Sequence, residues 1–146
     1  MRKVRNFVNG QHVDAKDGRT LALVNPATGE EFGTSPLSSA ADVDAAMSSA
    51  AAAFDEWKDT TPSERSRALL RIADALESRA DELIALEVEN TGKPVAMTAS
   101  EEIPPMIDQI RFFAGAARML EGKASAEYMR NMTSMIRREP VGVCAQ

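Results

Sequence analysis

The side chains that could do chemistry are few. Cys144 is the single thiol and His12 the single imidazole. A cysteine nucleophile needs an exposed, electropositive setting with a base at hand. Cys144 stands instead in an apolar run, "PVGVCA" (140 to 145), which predicts a buried structural role. His12 follows a turn signal, and with no second imidazole it offers neither a metal set nor a histidine-dependent triad, so a surface role is expected. The adjacent carboxylates Glu101 and Glu102 open a helical run, where negative charge favours the macrodipole, and a functional role competes with that structural one. No GxGxxG and no GxxxxGK[ST] occurs, so the familiar glycine-rich phosphate cradles are absent from the sequence.

The elements that must position these residues divide the chain into a strand-rich head, a helical middle and a strand-like tail. Asn9-Gly10 within "FVNGQHV" is the favoured pair for a two-residue hairpin turn. A second extended run, 21 to 24, leads through "NPATGE" into 31 to 34, predicting another hairpin. Ser39 with Asp42 announces the first helix, whose apolar stripe is Val43, Met47, Ala50, Phe54 and Trp57. "TPSE" (61 to 64) is a stronger start, with Thr61 as cap, Pro62 at the first helical position and Glu64 at the third. Leu69, Ile72, Leu76, Leu83 and Leu86 predict its buried face, with a break at Ser78 and an end at Gly92 and Pro94. A third helical run carries Ile103, Ile107, Ile110, Ala114 and Ala117, contains Pro104-Pro105 near its start, and is expected to end at Gly122. The tail, 127 to 140, alternates as one strand with Thr133, Met135 and Arg137 on one side, an edge suited to pairing with another subunit. Val141 to Gln146 reads as the opening of a buried strand.

Composition narrows the class. Seventeen basic and 22 acidic side chains give a net charge of -5 without long single-sign blocks, which advertises no nucleic-acid surface. No apolar stretch approaches the roughly 20 residues that span a bilayer, and the amino terminus lacks the apolar centre of a signal peptide. A cytoplasmic location is the expectation.

Six segments then carry a resemblance: "FVNGQHV", "VNPATGE", "ADVDAAMSSAAAAFDEW", "PSERSRALLRIADALESRADELIALEVENTGKP", "FFAGAARML" and "TSMIRREPVGV". In this order and spacing they resemble the opening of the aldehyde dehydrogenase superfamily. "EEIPPMIDQIRFFAGAARML" and "EYMRNMTSMIRREPVGV" look most like the aminoaldehyde dehydrogenases, 4-aminobutyraldehyde enzymes first and betaine-aldehyde enzymes next. The resemblance implies an incomplete, amino-terminal part of an α/β aldehyde dehydrogenase-like fold. Its expected divisions are a β-hairpin head (1–36), a helical part of the cofactor-binding domain (37–123), an oligomerisation strand region (124–140) and the start of the first cofactor-domain strand (141–146).

It also implies NAD- or NADP-dependent oxidation of an aldehyde to a carboxylic acid. The family's cofactor turn, general-base glutamate and nucleophilic cysteine lie later than these residues, so no catalytic or cofactor-binding residue is expected here and Cys144 does not match the nucleophile. Glu102 resembles the position of a substrate-entrance carboxylate that holds an ammonium group, and Phe112 and Phe113 are weighed as lining it or, more readily, as core. Main-chain carbonyls at Leu23 and Val24, with Asn90 where the family has an acidic residue, resemble a monovalent-cation site for K⁺ or Na⁺; an amide there brings no charge. The expected partners are a small aldehyde and further copies of the chain, through 124–140, with no nucleic acid and no membrane. The alternative is a non-catalytic interaction module that pairs with full-length subunits.

Overall fold

The computed structural model describes residues 1–145, without the side chains of 124–128. The head opens with β1 (Arg2–Lys3), β2 (Asn6–Val8) and β3 (Gln11–Val13), followed by β4 (Thr20–Val24) and β5 (Glu31–Pro36). The β2–β3 hairpin turns at Asn9 and Gly10, whose φ values of 51° and 73° are the pair of positive angles that Asn-Gly tolerates. β4 and β5 pair antiparallel across the Asn25 to Glu30 turn, as the punctuation predicts. β1 adds parallel to β5, with Arg2 opposite Gly33. That pairing was not legible in the sequence, because two residues carry no periodicity.

The helices follow as α1 (Ala40–Trp57), α2 (Pro62–Glu77), α3 (Ala80–Thr91), a short α4 (Val95–Met97) and α5 (Ile103–Ala116). α2 begins with a reciprocal cap: the Glu64 amide donates to Thr61 Oγ1 at 3.2 Å and the Thr61 amide to Glu64 Oε2 at 2.7 Å. The chain breaks between α2 and α3 at Ser78, and α3 ends on Gly92 at φ 71°. Ala73, Ile103 and Ile107 form the buried centre, with Leu76, Leu83, Ile84 and Ile110 packed around it. α5 is further held to α2 by Arg111, whose guanidinium lies 2.6 Å from Glu77 Oε2 and 3.0 Å from Asp74 Oδ1.

Between α4 and α5 the helix widens into one π turn, Thr98–Glu102, in which the Ile103 amide donates to the Thr98 carbonyl. The prolines explain it. Pro104 and Pro105 have no amide to give, and in a regular α-helix their rings would strike the carbonyls four residues back. The wider turn removes the collision, and Ser100 Oγ donates to the Ala96 carbonyl at 3.0 Å.

Five expectations need correction. Ile72 is 49% exposed, because α2 presents Ala73 and Leu76 to α5 and turns Ile72 outward. Ile72 thereby joins Val43, Met47 and Trp57 of the α1 stripe, which are exposed since little beyond β2 reaches that helix among the described residues. Phe112 and Phe113 are exposed rather than core; they flank the Ile103/Ile107/Ala114 stripe and meet edge to face, 5.3 Å between centroids. α5 ends at Ala116, six residues before Gly122, as the Arg118 and Met119 amides tighten onto Gly115 and Ala116. The tail is not one strand but a hairpin of β6 (Lys123–Met129) and β7 (Met132–Ile136), turning on Arg130 and on Asn131 at φ 67°. Where 141–146 is expected to open a buried strand, residues 141–145 carry no regular structure, and Gln146 lies outside the described residues.

Candidate functional site

Glu102 closes the π turn, and its carboxylate faces back along the chain to Lys93, just beyond the end of α3. Lys93 Nζ lies 2.8 Å from Glu102 Oε1 and 3.1 Å from Oε2, and 3.2 Å from Glu87 Oε1. The hydrogen bond to Glu102, then that to Glu87, raises the Lys93 pKa above its ordinary value. The Glu102 side chain is 27% exposed. The sequence reading placed Glu102 at a helix start and missed Lys93, which served there only as part of a helix stop. No helical or strand spacing links positions nine apart, so the pairing is visible only once α4 and the π turn fold the chain back.

Leu23 and Asn90 come together. Both line a cavity of about 570 Å³ between the head sheet and α2, α3 and α5. The β4–β5 register shifts between Leu23 and Val24, which loosens the ladder where the two carbonyls are wanted. Gly92 presses the end of α3 onto Pro26 just beyond. Carbonyl and amide oxygens are the donor type a hard cation accepts. Among the described residues no three His, Cys, Asp or Glu side chains gather to hold a metal.

The starts of α1 and α2 are occupied by carboxylates. Glu64 occupies the α2 start, while Asp42 takes the Ser39 amide at 2.8 Å, the Ser39 hydroxyl at 2.7 Å and, from the head, the Lys16 amide at 2.9 Å. These bonds, the Ser39 amide foremost, hold the Asp42 pKa below the usual carboxylate range. α3 carries Asp81 and Glu82 in its first turn. At α1 and α2, backbone amides of the kind that elsewhere receive a pyrophosphate thus face the chain's own carboxylates.

Cys144 is exposed, contrary to the buried role expected, because no element packs over 141–145. His12 is an exposed residue of β3 whose ring lies 5.2 Å from that of Phe7, a surface role as expected.

Comparison with known proteins adds what geometry alone does not. The model of the aldehyde dehydrogenase family matches residues 12–146. The NAD-dependent aldehyde dehydrogenase of Sinorhizobium meliloti superposes with a TM-score of 0.89 at 36% identity, covering 96% of this chain and 28% of that one. The NAD⁺ complex of a Bacillus cereus aldehyde dehydrogenase gives 0.90 at 29% identity, covering 96% and 29%. An indole-3-acetaldehyde dehydrogenase of P. syringae, solved with NAD⁺ and IAA, gives 0.89 at 30% identity, covering 94% and 28%. The chain therefore spans less than a third of the length of these relatives.

Proposed function

The chain belongs to the aldehyde dehydrogenase family, and from that premise we propose that it supplies the amino-terminal part of an enzyme that oxidises an aldehyde to a carboxylic acid with NAD or NADP. The nicotinamide, when bound, takes the hydride that the oxidation releases. This part of the enzyme contributes scaffold and substrate contact rather than catalytic groups, and alone it is inactive. The family match across residues 12–146 carries the reading. The uncovered faces of Trp57, Phe112 and Phe113 support it, as a helical layer built to lie against further structure would leave them.

The substrate we propose is an aminoaldehyde such as 4-aminobutyraldehyde. Glu102 is the carboxylate offered to its ammonium group, and Lys93 holds that carboxylate in the substrate's absence. Copies of the chain pair through 124–140 in the cytoplasm, and K⁺ or Na⁺ sits on the carbonyls of Leu23 and Val24 and the amide of Asn90.

A second reading has its own observation. The β6–β7 hairpin shows Met132, Met135 and Ile136 to solvent, and two strands alone leave both edges unpaired. That suits an interaction module docking on full-length subunits. Reading the nucleotides beyond the Gln146 codon separates the two: a continuing frame that encodes Pro-Trp-Asn supports the enzyme, and a stop codon supports the module. Aldehyde-dependent NADH formation by the 146-residue chain alone would overturn both.

A further inference from the structure

Two arginines stand apart in this acidic chain. Arg2, Arg5, Arg19, Arg79, Arg111 and Arg137 each lie within ion-pair distance of a carboxylate. Among the described residues Arg67, Arg71, Arg118 and Arg130 enter no ion pair, and neither do Arg65 and Arg138, which differ in sharing one cavity. Each of these two is held by a main-chain carbonyl. Arg65 donates through one guanidinium nitrogen to the Thr60 carbonyl, and Arg138 Nε donates to the Glu121 carbonyl at 3.1 Å. A guanidinium has five N–H donors in a rigid fork, so one anchoring bond fixes its plane and leaves the others to offer.

Both side chains line one cavity of about 260 Å³, where the end of α1 meets the start of α2 and the segment after β7. Its apolar walls are the indole of Trp57, Leu120 and Pro140, and Lys58 and Glu139 complete the lining. The carboxylates nearest in sequence pair with neither guanidinium among the described residues. Glu64 folds back on Thr61, with Oε2 2.7 Å from the amide and 2.8 Å from the hydroxyl. Glu139 also lines the cavity, but its Oε1 lies 3.8 Å from Arg137 Nε. Lys58, a third lining cation, is engaged by Asp55 at 2.9 Å. An oriented pair of forks beside an indole and two aliphatic walls is complementary to an anion that carries an apolar body.

We propose that this cavity is a binding site for small organic carboxylates with an alkyl chain. The carboxylate accepts from Arg65 and Arg138, and the chain lies along Trp57, Leu120 and Pro140. The site uses none of the residues offered to the aldehyde or the cation, but Arg138 and Pro140 fall within the 124–140 segment through which copies are proposed to pair, so pairing there would compete with the ligand.

The chain's single tryptophan is in the wall and gives the readout. Hexanoate is titrated into the 146-residue chain at constant ionic strength while Trp57 emission is followed. The expected result is a saturable shift, with acetate binding about tenfold more weakly because it buries no chain, and with hexylammonium giving none. Arg138→Gln and, separately, Arg65→Gln weaken hexanoate about tenfold, the loss of one charge-assisted contact, while Arg67→Gln leaves it unchanged. Circular dichroism of each variant verifies that it is folded, and Arg138→Gln carries the test if Arg65→Gln loosens the start of α2. A linear, non-saturating response, an equal response to hexylammonium, or wild-type affinity in Arg138→Gln overturns the proposal.

Discussion

Lys93 Nζ lies 2.8 Å from Glu102 Oε1. If Glu102 receives an aminoaldehyde as proposed, the substrate's ammonium group must displace that of Lys93. The contact ties the segment after α3 to the π turn, and because Lys93 is 40% exposed its strength is moderated by solvent.

Lys93→Met should lower the melting temperature by no more than a few degrees at neutral pH. A lysine whose folded pKa is raised stabilises fully below its unfolded value, near 10.5, and loses that contribution as pH rises through the higher folded value. The gap between wild type and variant should hold up to that pH and close above it. A thermal-melt series in pH measures it; a gap that widens in alkali would contradict the assignment.

Acid should act in the opposite direction. Asp42 has a folded pKa below 3.8, so its contribution is complete above that value and is lost as pH falls through the lower folded one. Because Asp42 also takes the Lys16 amide, the head should loosen from α1 as it protonates. Hydrogen exchange at Lys16 should rise in Asp42→Asn at neutral pH, and only in strong acid for the wild type. Exchange that is unaltered in the variant would show that the head is held by something else.

Ile107 is buried in the centre of the helical layer and Ile72 is not. Ile107→Ala should cost about 2–5 kcal/mol through lost contacts and a cavity. Ile72→Ala should stay within about 0.5 kcal/mol, as exposed substitutions do. Urea unfolding of both variants tests the orientation of α2, and equal losses would mean the helix is turned differently.

Gly92 and Gly18 share a φ of 71°, but only Gly92 has a neighbour in the way: a Cβ there would stand 2.9 Å from Pro26 Cγ, whereas at Gly18 it meets open space. Gly18→Ala should cost about 1 kcal/mol for the left-handed backbone alone. Gly92→Ala should cost more, and the difference measures how tightly the end of α3 seats on the β4–β5 turn. Equal values in chemical denaturation would say that it does not.

Asn90 shares its cavity with Leu23. If a monovalent cation lies there, exchanging choline for K⁺ should raise the melting temperature of the wild type slightly and that of Asn90→Asp more, since the carboxylate adds charge to the ligand set. No difference between the two salts for either chain would remove the cation from the proposal.

Local signals were legible wherever one or two residues decide the geometry. Asn9-Gly10, the Thr61–Glu64 cap, the Ser78 break and Gly92 all act within a few residues of themselves, and each lies where the sequence places it. Relations set by tertiary packing were not. Ile72 fits the apolar spacing of α2 as well as Ala73 does, and only the approach of α5 selects between them. The β6–β7 turn escaped notice because Arg-Asn lacks the glycine that marks Asn9-Gly10, although Asn131 adopts the left-handed angle asparagine tolerates. At the candidate site the family pattern pointed to Glu102, but nothing local could have paired it with Lys93.

The π turn at Thr98–Glu102 has one further consequence. Such a turn holds one residue more than the α-helix needs to complete a revolution, so this stretch carries spare length. Removing a single residue there would let the helix close normally without shortening α3 or α5, provided the two prolines are replaced as well. Adding one has no such outlet and would swing Glu102 away from Lys93. The chain is thus asymmetric at this point toward insertion and deletion, and its tolerance for change in length is written into a single overwide turn.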